Sequence, residues 1–159
     1  MLIGSRRHGV YKRNEPRHLA FDKDGTHVFC ANELRSTVSV LEYEDGTLTL
    51  KDTVSLLPKD FDGESTAAAI RCADGTVYVS NRGHDSITAL TFSSGRLAFN
   101  KTISTYGRSP RDFLVYRDLI IAANECSDEV TLISLEDGGL LEKIPVRYPV
   151  CVAVNSRTL

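Results

Sequence analysis

Apolar and polar residues alternate with a period of two through most of this chain. The pattern is clear at 37–40, 47–50 and 76–79, where β-branched residues are abundant. Such alternation is typical of strands that bury one face. Asp-Gly or Ser-Gly pairs, which favour tight turns, occur between the alternating segments, at 24–25, 45–46, 74–75, 94–95 and 137–138. The sequence therefore predicts short antiparallel strands joined by hairpins.

These strands belong to a repeating unit. The three similar segments are VFCANELRSTVSVLEYEDGTL, VYVSNRGHDSITALTFSSGRL and IIAANECSDEVTLISLEDGGL. In each, an asparagine precedes a glycine by 14 residues: Asn32 and Gly46, Asn81 and Gly95, Asn124 and Gly138. The connections between units differ in length, with extra residues around 57–65. A constant unit with variable connections is typical of repeat architectures.

Each unit accommodates four strands, and for the first we predict them at 17–22, 27–31, 37–43 and 48–54. A run of small residues at 65–69 is too short for a stable helix, and it aligns with the first strand of its unit. Four antiparallel strands repeating every 40 to 50 residues indicate the blades of a β-propeller. A β-sandwich would also give evenly spaced strands, but it would not explain the repeat.

The predicted fold is therefore all-β, a partial propeller of about three blades and a final strand. We expect the blades at 16–57, 66–107 and 110–146, the closing strand at 149–154, and an N-terminal extension at 1–15 that resembles no blade.

In such blades, the loop between the second and third strands lies at the same end as the connection between blades. This end should carry chemistry-bearing residues from all three units. We expect three arginines and a glutamate to converge there: Arg17, Arg82, Arg111 and Glu33. Guanidinium groups bind phosphate or carboxylate bidentately, and a nearby carboxylate or histidine can transfer protons. An anion site is one interpretation; solvent-exposed loop charges, with asparagines that only cap turns, are the other.

Composition narrows the choice of partners. The net charge of −2 argues against nucleic acid or an anionic membrane held by bulk electrostatics. No apolar run approaches the roughly 20 residues of a membrane span, and residues 1–4 are too short for the core of a signal peptide. The four cysteines lie far apart without a CxxC pair, so they indicate neither a zinc site nor a redox motif, and we expect no disulfide. We also expect no cofactor. A cytoplasmic location follows as an expectation.

Several motifs resemble a known family. PRHLAFDKDG followed by ANELRSTVSV, then TAAAIRCADGTVYVSNRGHDSI, SPRDF and PVCV, are similar to the lactonase family of seven-bladed propellers, over about 16–154. Its best-known members are 6-phosphogluconolactonases, and a carboxymuconate-lactonising enzyme is a relative. The resemblance implies hydrolysis of a small anionic sugar lactone by polar residues, without a metal.

The resemblance also implies roles for individual residues. Arg17 and Arg82 would bind and polarise the substrate, and Glu33 would act as general base or acid. Supporting or substrate-binding positions would be His18, His84, Arg111 and Arg71. Relatives usually carry a glutamate before the Ile-Arg pair of the second unit, where this chain has Ala69. The loss of an acid that braces an arginine would loosen the site.

Two functions remain open from the sequence. One is a lactonase, or a piece of one, with the carboxymuconate-type reaction as a variant. The other is a propeller remnant without catalysis that serves as a binding or scaffold module, because propellers support many functions. Three blades do not close a ring, so we expect the open flanks of the outer blades to drive self-association.

Overall fold

A computed structural model describes residues 15–154 as three four-stranded antiparallel sheets, each formed by four consecutive strands. Blade 1 contains β1 (Pro16–Phe21), β2 (His27–Asn32), β3 (Thr37–Glu44) and β4 (Thr47–Ser55). Blade 2 contains β5 (Thr66–Ala73), β6 (Thr76–Arg82), β7 (Ser86–Ser93) and β8 (Arg96–Ser104). Blade 3 contains β9 (Pro110–Tyr116), β10 (Leu119–Asn124), β11 (Glu129–Ser134) and β12 (Leu140–Pro145).

The predicted all-β propeller fold is confirmed, and the strand limits predicted for blade 1 agree with the structure to within one residue. The run of small residues is part of β5, whose pairing with β6 shifts register between Ala67 and Ile70. Short 3-10 turns follow β2 and β10, at Glu33–Arg35 and Glu125–Ser127. In the part of the chain that the structure describes, no helix is long and apolar enough to cross a bilayer.

The predicted closing strand at 149–154 is wrong for this structure, which assigns no strand to that segment. Each first strand of a blade pairs only with the second strand of its own blade. The described residues offer no such second strand after 149–154. The segment is held by one hydrogen bond, in which the Val152 backbone N–H donates to Asp112 Oδ2 at 2.9 Å. The predicted extension at 1–15 lies almost wholly outside the described residues.

Blade 2 buries both of its faces. Towards blade 1, the side chains of Val77 and Val79 pack in a cluster with Phe29. Towards blade 3, Tyr78 and Ile87 pack in a second cluster with Phe113. Successive side chains of β6 therefore contribute to two different cores, because neighbouring side chains of a strand point to opposite faces.

The first strands of the three blades, β1, β5 and β9, lie side by side and form the inner edge of the partial ring. They are also linked directly, since Arg17 Nη1 donates a hydrogen bond to the Ala68 carbonyl at 2.7 Å. Lys51 and Lys101 lie on the outer strands β4 and β8, as the sequence predicts.

A buried asparagine ends the second strand of each blade. Asn32, Asn81 and Asn124 are 3%, 0% and 0% exposed. Each Nδ2 donates to the hydroxyl seven residues later on the third strand: Ser39 at 2.9 Å, Thr88 at 2.9 Å and Thr131 at 3.0 Å. In blades 2 and 3 that hydroxyl donates in turn to a carbonyl just beyond the preceding blade, that of Leu56 or Thr105. The asparagines thus join strands and neighbouring blades.

In each blade, a backbone hydrogen bond joins the end of the fourth strand to the loop that follows the buried asparagine. That loop contains one non-glycine residue in the left-handed region: Ser36 at φ 45°, Asp85 at φ 53° and Asp128 at φ 51°. Their carbonyls accept N–H bonds from Leu56, Thr105 and Val146, just beyond the fourth strands, at 2.9–3.1 Å. Each blade is thereby closed on itself.

Replacing the asparagine of the central blade tests its structural role. In Asn81→Ala, the hydroxyls of Ser86 and Thr88 lose a buried donor, and we expect a loss of about 1–3 kcal/mol in the free energy of unfolding. Urea denaturation measures this loss. The matched control is Asn100→Ala, because Asn100 is exposed on the outer strand β8, and its effect should stay within about 0.5 kcal/mol. Equal effects of the two substitutions would contradict the proposed role of Asn81.

The outer flanks expose large apolar side chains. Leu19 and Phe21 of β1, on the face opposite Ala20, are 58% and 55% exposed, and Leu141 of β12 is 59% exposed. Self-association through these flanks stays a prediction. Sedimentation velocity in dilute buffer should show dimers or larger species, because such faces favour burial. Leu19→Lys together with Leu141→Lys should shift the distribution towards monomer. A wild-type protein that sediments as a monomer would contradict this expectation.

Candidate active site

Four of the predicted site residues lie at one end of the blades. Arg17 and Arg111 are second residues of inner strands, and Glu33 and Arg82 lie at the ends of second strands or immediately after them. Because neighbouring strands are antiparallel, these positions share an end. The Asp-Gly and Ser-Gly hairpins lie at the opposite end, as the sequence predicts.

At the centre of this end, the Glu33 carboxylate contacts two arginines from different blades. Its Oε2 lies 3.7 Å from Arg17 Nε, and its Oε1 accepts a hydrogen bond from Arg82 Nη2. The side chains of Arg17, Arg82 and Glu33 are 21%, 18% and 29% exposed. These three residues, the Arg17–Glu33–Arg82 cluster, are part-buried yet accessible to a ligand.

The cluster contains more positive than negative charge. Burial and the neighbouring Arg82 charge lower the pKa of Arg17, the attraction of Glu33 opposes this, and Arg111 lowers it further. One carboxylate thus lies between two guanidinium groups, and the positive charge of Arg111 also acts on Arg17. A bound anion would relieve this repulsion, which makes the cluster suitable for an anionic ligand.

Arg111 belongs to the same end but has its own acid. Its Nη1 donates to both carboxylate oxygens of Glu125, at 3.3 and 3.2 Å, and its side chain is 39% exposed. Glu125 follows Asn124 as Glu33 follows Asn32, so the two glutamates occupy equivalent positions. The structure places Arg111 near the cluster without contact to Glu33.

Arg71 forms an ion pair with Asp112, which the sequence did not assign to the site. Its Nη2 lies 2.6 Å from Oδ1 of Asp112, which is 5% exposed, and its guanidinium lies over the Phe113 ring at 5.7 Å. Asp112 thus braces an arginine although this chain has alanine at position 69. A repeated pattern in the sequence could have identified this residue, because Asp112 follows the second Pro-Arg pair as His18 follows the first.

The two predicted histidines have different surroundings. His18 lies on β1, and its pKa is lowered by burial and by the charges of Arg17 and Arg71, while Asp112 opposes this. His84 has other partners: its Nδ1 is 2.6 Å from Ser86 Oγ, and its ring packs edge-on against Phe61. His18 is therefore placed near the arginines, and His84 supports the loop beyond Arg82.

A cavity of about 400 Å³ adjoins Arg82. Its lining comes from the connection into blade 2, the loop after β6 and the connection into blade 3: Glu64, Ser65, Thr66, Arg82, Gly83, Asp85, Arg108 and Ser109. Sequence reasoning did not single out Arg108 or Glu64, since both lie in connections without a repeated motif. Within residues 15–154, no group of three His, Cys, Asp or Glu side chains is arranged to hold a metal ion.

The electrostatic influence of the arginines on His18 is directly measurable. In an NMR titration, His18 should titrate below the ordinary histidine value of about 6.5. Arg17→Gln should raise the pKa of His18, because it removes a neighbouring positive charge. Arg96→Gln, at the far end of the outer strand β8, should leave it unchanged. An unshifted His18 titration in the wild-type protein would contradict this arrangement.

Comparison with known proteins agrees with the architecture. The sequence profile of the family described as "Lactonase, 7-bladed beta-propeller" matches residues 6–154. The 6-phosphogluconolactonase of Bacillus subtilis is 36% identical over 96% of this chain, which corresponds to 47% of that protein.

Two solved structures show the same arrangement of blades. A protein from Lactobacillus plantarum has 34% identity and a TM-score of 0.81, over 87% of this chain and 44% of its own. The periplasmic gluconolactonase of Pseudomonas aeruginosa has 29% identity and a TM-score of 0.77, over 84% of this chain and 40% of its own. The chain thus spans less than half the length of these relatives. It belongs to the seven-bladed β-propeller lactonase family.

Proposed function

We propose that this chain carries a lactone-hydrolysing site for an anionic sugar lactone of the 6-phosphogluconolactone type. The observation that carries the proposal is the Glu33 carboxylate held between Arg17 and Arg82 at the inner end of two blades. The relatives named as 6-phosphogluconolactonase and gluconolactonase support the choice of a sugar lactone. The surplus positive charge around Arg17 supports the choice of an anionic one.

The cluster supplies the groups that lactone hydrolysis needs. Glu33 takes a proton from a water molecule, and the resulting hydroxide attacks the lactone carbonyl carbon. A tetrahedral intermediate forms, and its oxyanion is stabilised by the guanidinium groups of Arg17 and Arg82. The ring C–O bond then breaks. The leaving ring oxygen receives the proton from Glu33, which regenerates the carboxylate and yields the open-chain acid.

The positions of the two arginines suit this sequence of steps. Arg17 belongs to blade 1 and Arg82 to blade 2, and both contact Glu33. Their guanidinium groups can therefore contact the carbonyl oxygen of the substrate while the Glu33 carboxylate contacts the water molecule. Burial, and after it the nearby charge of Arg82, lower the pKa of Arg17, so the positive charge of Arg17 is disfavoured in the free protein. This positive charge becomes favourable when negative charge develops on the carbonyl oxygen of the substrate. Stabilisation of this kind is stronger in the transition state than in the ground state, which is the requirement for catalysis.

Neutralising the glutamate tests the role of the general base. Glu33→Gln should lower the turnover of 6-phosphogluconolactone by about 10²–10⁴-fold without unfolding the protein. Acid release followed by pH-stat measures turnover, and circular dichroism checks folding. The matched control is Glu44→Gln in the β3–β4 hairpin at the opposite end, which should retain wild-type turnover. A folded Glu33→Gln variant with wild-type turnover would show that Glu33 is only a loop charge. Absence of turnover in the wild-type chain would favour the binding module instead.

A second variant tests whether Arg82 binds the substrate through the paired donors of its guanidinium group. Arg82→Lys keeps the charge but removes the planar pair of donors, so kcat/KM should fall by at least about tenfold. Arg96→Lys, a matched change at the opposite end of blade 2, should have no effect. Equal values of kcat/KM for the two variants would contradict the role of Arg82 in binding the substrate carbonyl.

A further inference from the structure

Asp112 is a buried carboxylate that the proposed hydrolysis does not use. It lies on β9 and is 5% exposed. Each carboxylate oxygen has its own partner: Oδ1 lies 2.6 Å from Nη2 of Arg71 on β5, and Oδ2 accepts the Val152 N–H at 2.9 Å. A buried ion pair adds little net stability compared with apolar residues of similar size. The position that Asp112 gives to its partner is therefore the more informative property of this pair.

Asp112 helps to hold the Arg71 guanidinium group in one position. Arg71 Nη1 donates to the Ile70 carbonyl at 2.8 Å, Nη2 contacts Asp112, and Cζ lies 5.7 Å from the centre of the Phe113 ring. A long arginine side chain loses rotamer freedom when it is fixed, so its order depends on several contacts. Two of these three contacts come from β9. Blade 3 therefore determines where an arginine of blade 2 lies.

The positive charge of Arg71 acts on His18 of the neighbouring inner strand. β1 and β5 lie side by side. Burial, the charge of Arg17 on β1 and that of Arg71 on β5 lower the pKa of His18, and the charge of Asp112 on β9 opposes them. A histidine with a lowered pKa stays neutral at neutral pH, and a neutral imidazole offers one ring nitrogen as a hydrogen-bond acceptor. His18 can therefore accept a hydrogen bond from a ligand or from water beside the arginines.

We propose that Asp112 is a positioning residue, which holds Arg71 where its charge acts on His18 and so connects blade 3 to the candidate site. Asp112 has too little exposed surface to serve as a substrate contact, so it acts through Arg71. The Val152 N–H holds the second carboxylate oxygen, and 149–154 therefore takes part in the same arrangement. The inference rests on the proposed function only for what His18 contacts during hydrolysis. The arrangement of Asp112, Arg71 and His18 can be measured without any lactone.

A double-mutant cycle on the pKa of His18 tests this role. Arg71→Gln should raise the pKa of His18, because it removes a neighbouring positive charge. In an Asp112→Asn background the same substitution should raise it less, because Arg71 is no longer held in place, whereas independent groups would give additive effects. NMR titration of the His18 ring in the full 159-residue chain measures all four proteins. An equal rise in both backgrounds, or no rise in the wild-type background, would overturn the proposal.

Asp118→Asn is the matched control for Asp112→Asn. Asp118 is an exposed acid in the β9–β10 hairpin, beyond the other end of the same strand. In this background Arg71→Gln should raise the pKa of His18 by the same amount as in the wild-type protein. A reduced rise here as well would show that the loss of any acid of blade 3 has the effect, which contradicts a specific role of Asp112.

A measurement on the wild-type protein covers the case in which Asp112→Asn does not fold. The contacts of Arg71 should slow the rotation of its guanidinium group, so that NMR resolves separate signals for its two Nη groups. The exposed Arg96 on the outer strand β8 is the internal reference and should give a single averaged signal. Rotation of Arg71 as fast as that of Arg96 would contradict the proposal that Asp112 holds it in place.

The outcomes separate this inference from the proposed function. A smaller effect of Arg71→Gln in the Asp112→Asn background, in a chain that does not hydrolyse 6-phosphogluconolactone, would retain the positioning role and reject the lactonase. Hydrolysis of 6-phosphogluconolactone, together with an equal effect of Arg71→Gln in both backgrounds, would retain the lactonase and reject the positioning role.

Discussion

The buried asparagine at the end of each second strand is the contact on which the candidate site depends. Its amide donates to a hydroxyl on the third strand, and in two blades that hydroxyl continues to the chain leaving the preceding blade. The next residue along the chain is Glu33, Arg82 or Glu125. A fixed asparagine therefore fixes the start of the side chain that enters the site. The buried Nδ2 donor keeps that position constant, because moving it away from the hydroxyl would leave a buried donor without a partner.

The charged groups at this end pair within blades, as in Arg17–Glu33 and Arg111–Glu125, and also between blades. Glu33 of blade 1 meets Arg82 of blade 2, and Arg71 of blade 2 meets Asp112 of blade 3. The Arg17 guanidinium also donates to a backbone carbonyl of blade 2. Each of these inter-blade pairs spans one blade interface, and the core of that interface must pack correctly before the two charges can meet. The geometry of the site is thus a consequence of the apolar packing between β-sheets.

Local pattern was sufficient for much of the fold. Strands follow from the period-two alternation and turns from Asp-Gly pairs, and both depend on neighbouring residues in the chain. The end of the blades that carries Arg17, Glu33 and Arg82 follows from strand direction alone. What the sequence did not reveal depends on contacts between blades. The pairing of Arg71 with Asp112 joins residues 41 positions apart. The orientation of His84 towards Phe61 depends on the path of a connection that repeats nowhere else.

The backbone hydrogen bond that joins the end of each blade to its own loop determines which segments of the chain can vary in length. Because the Ser36 carbonyl holds the Leu56 N–H, blade 1 is complete before the long connection at 57–65 begins. The start of β5 is fixed independently, by its pairing with β6 and by the close approach of Gly83 to the Glu64 carbonyl. Segments of different length can therefore be exchanged between these two anchors without moving the arginines. A different connection would change the surface beside Arg82 while the Arg17–Glu33–Arg82 cluster stays in place, so this connection is the natural point at which evolution, or a protein engineer, would insert new sequence.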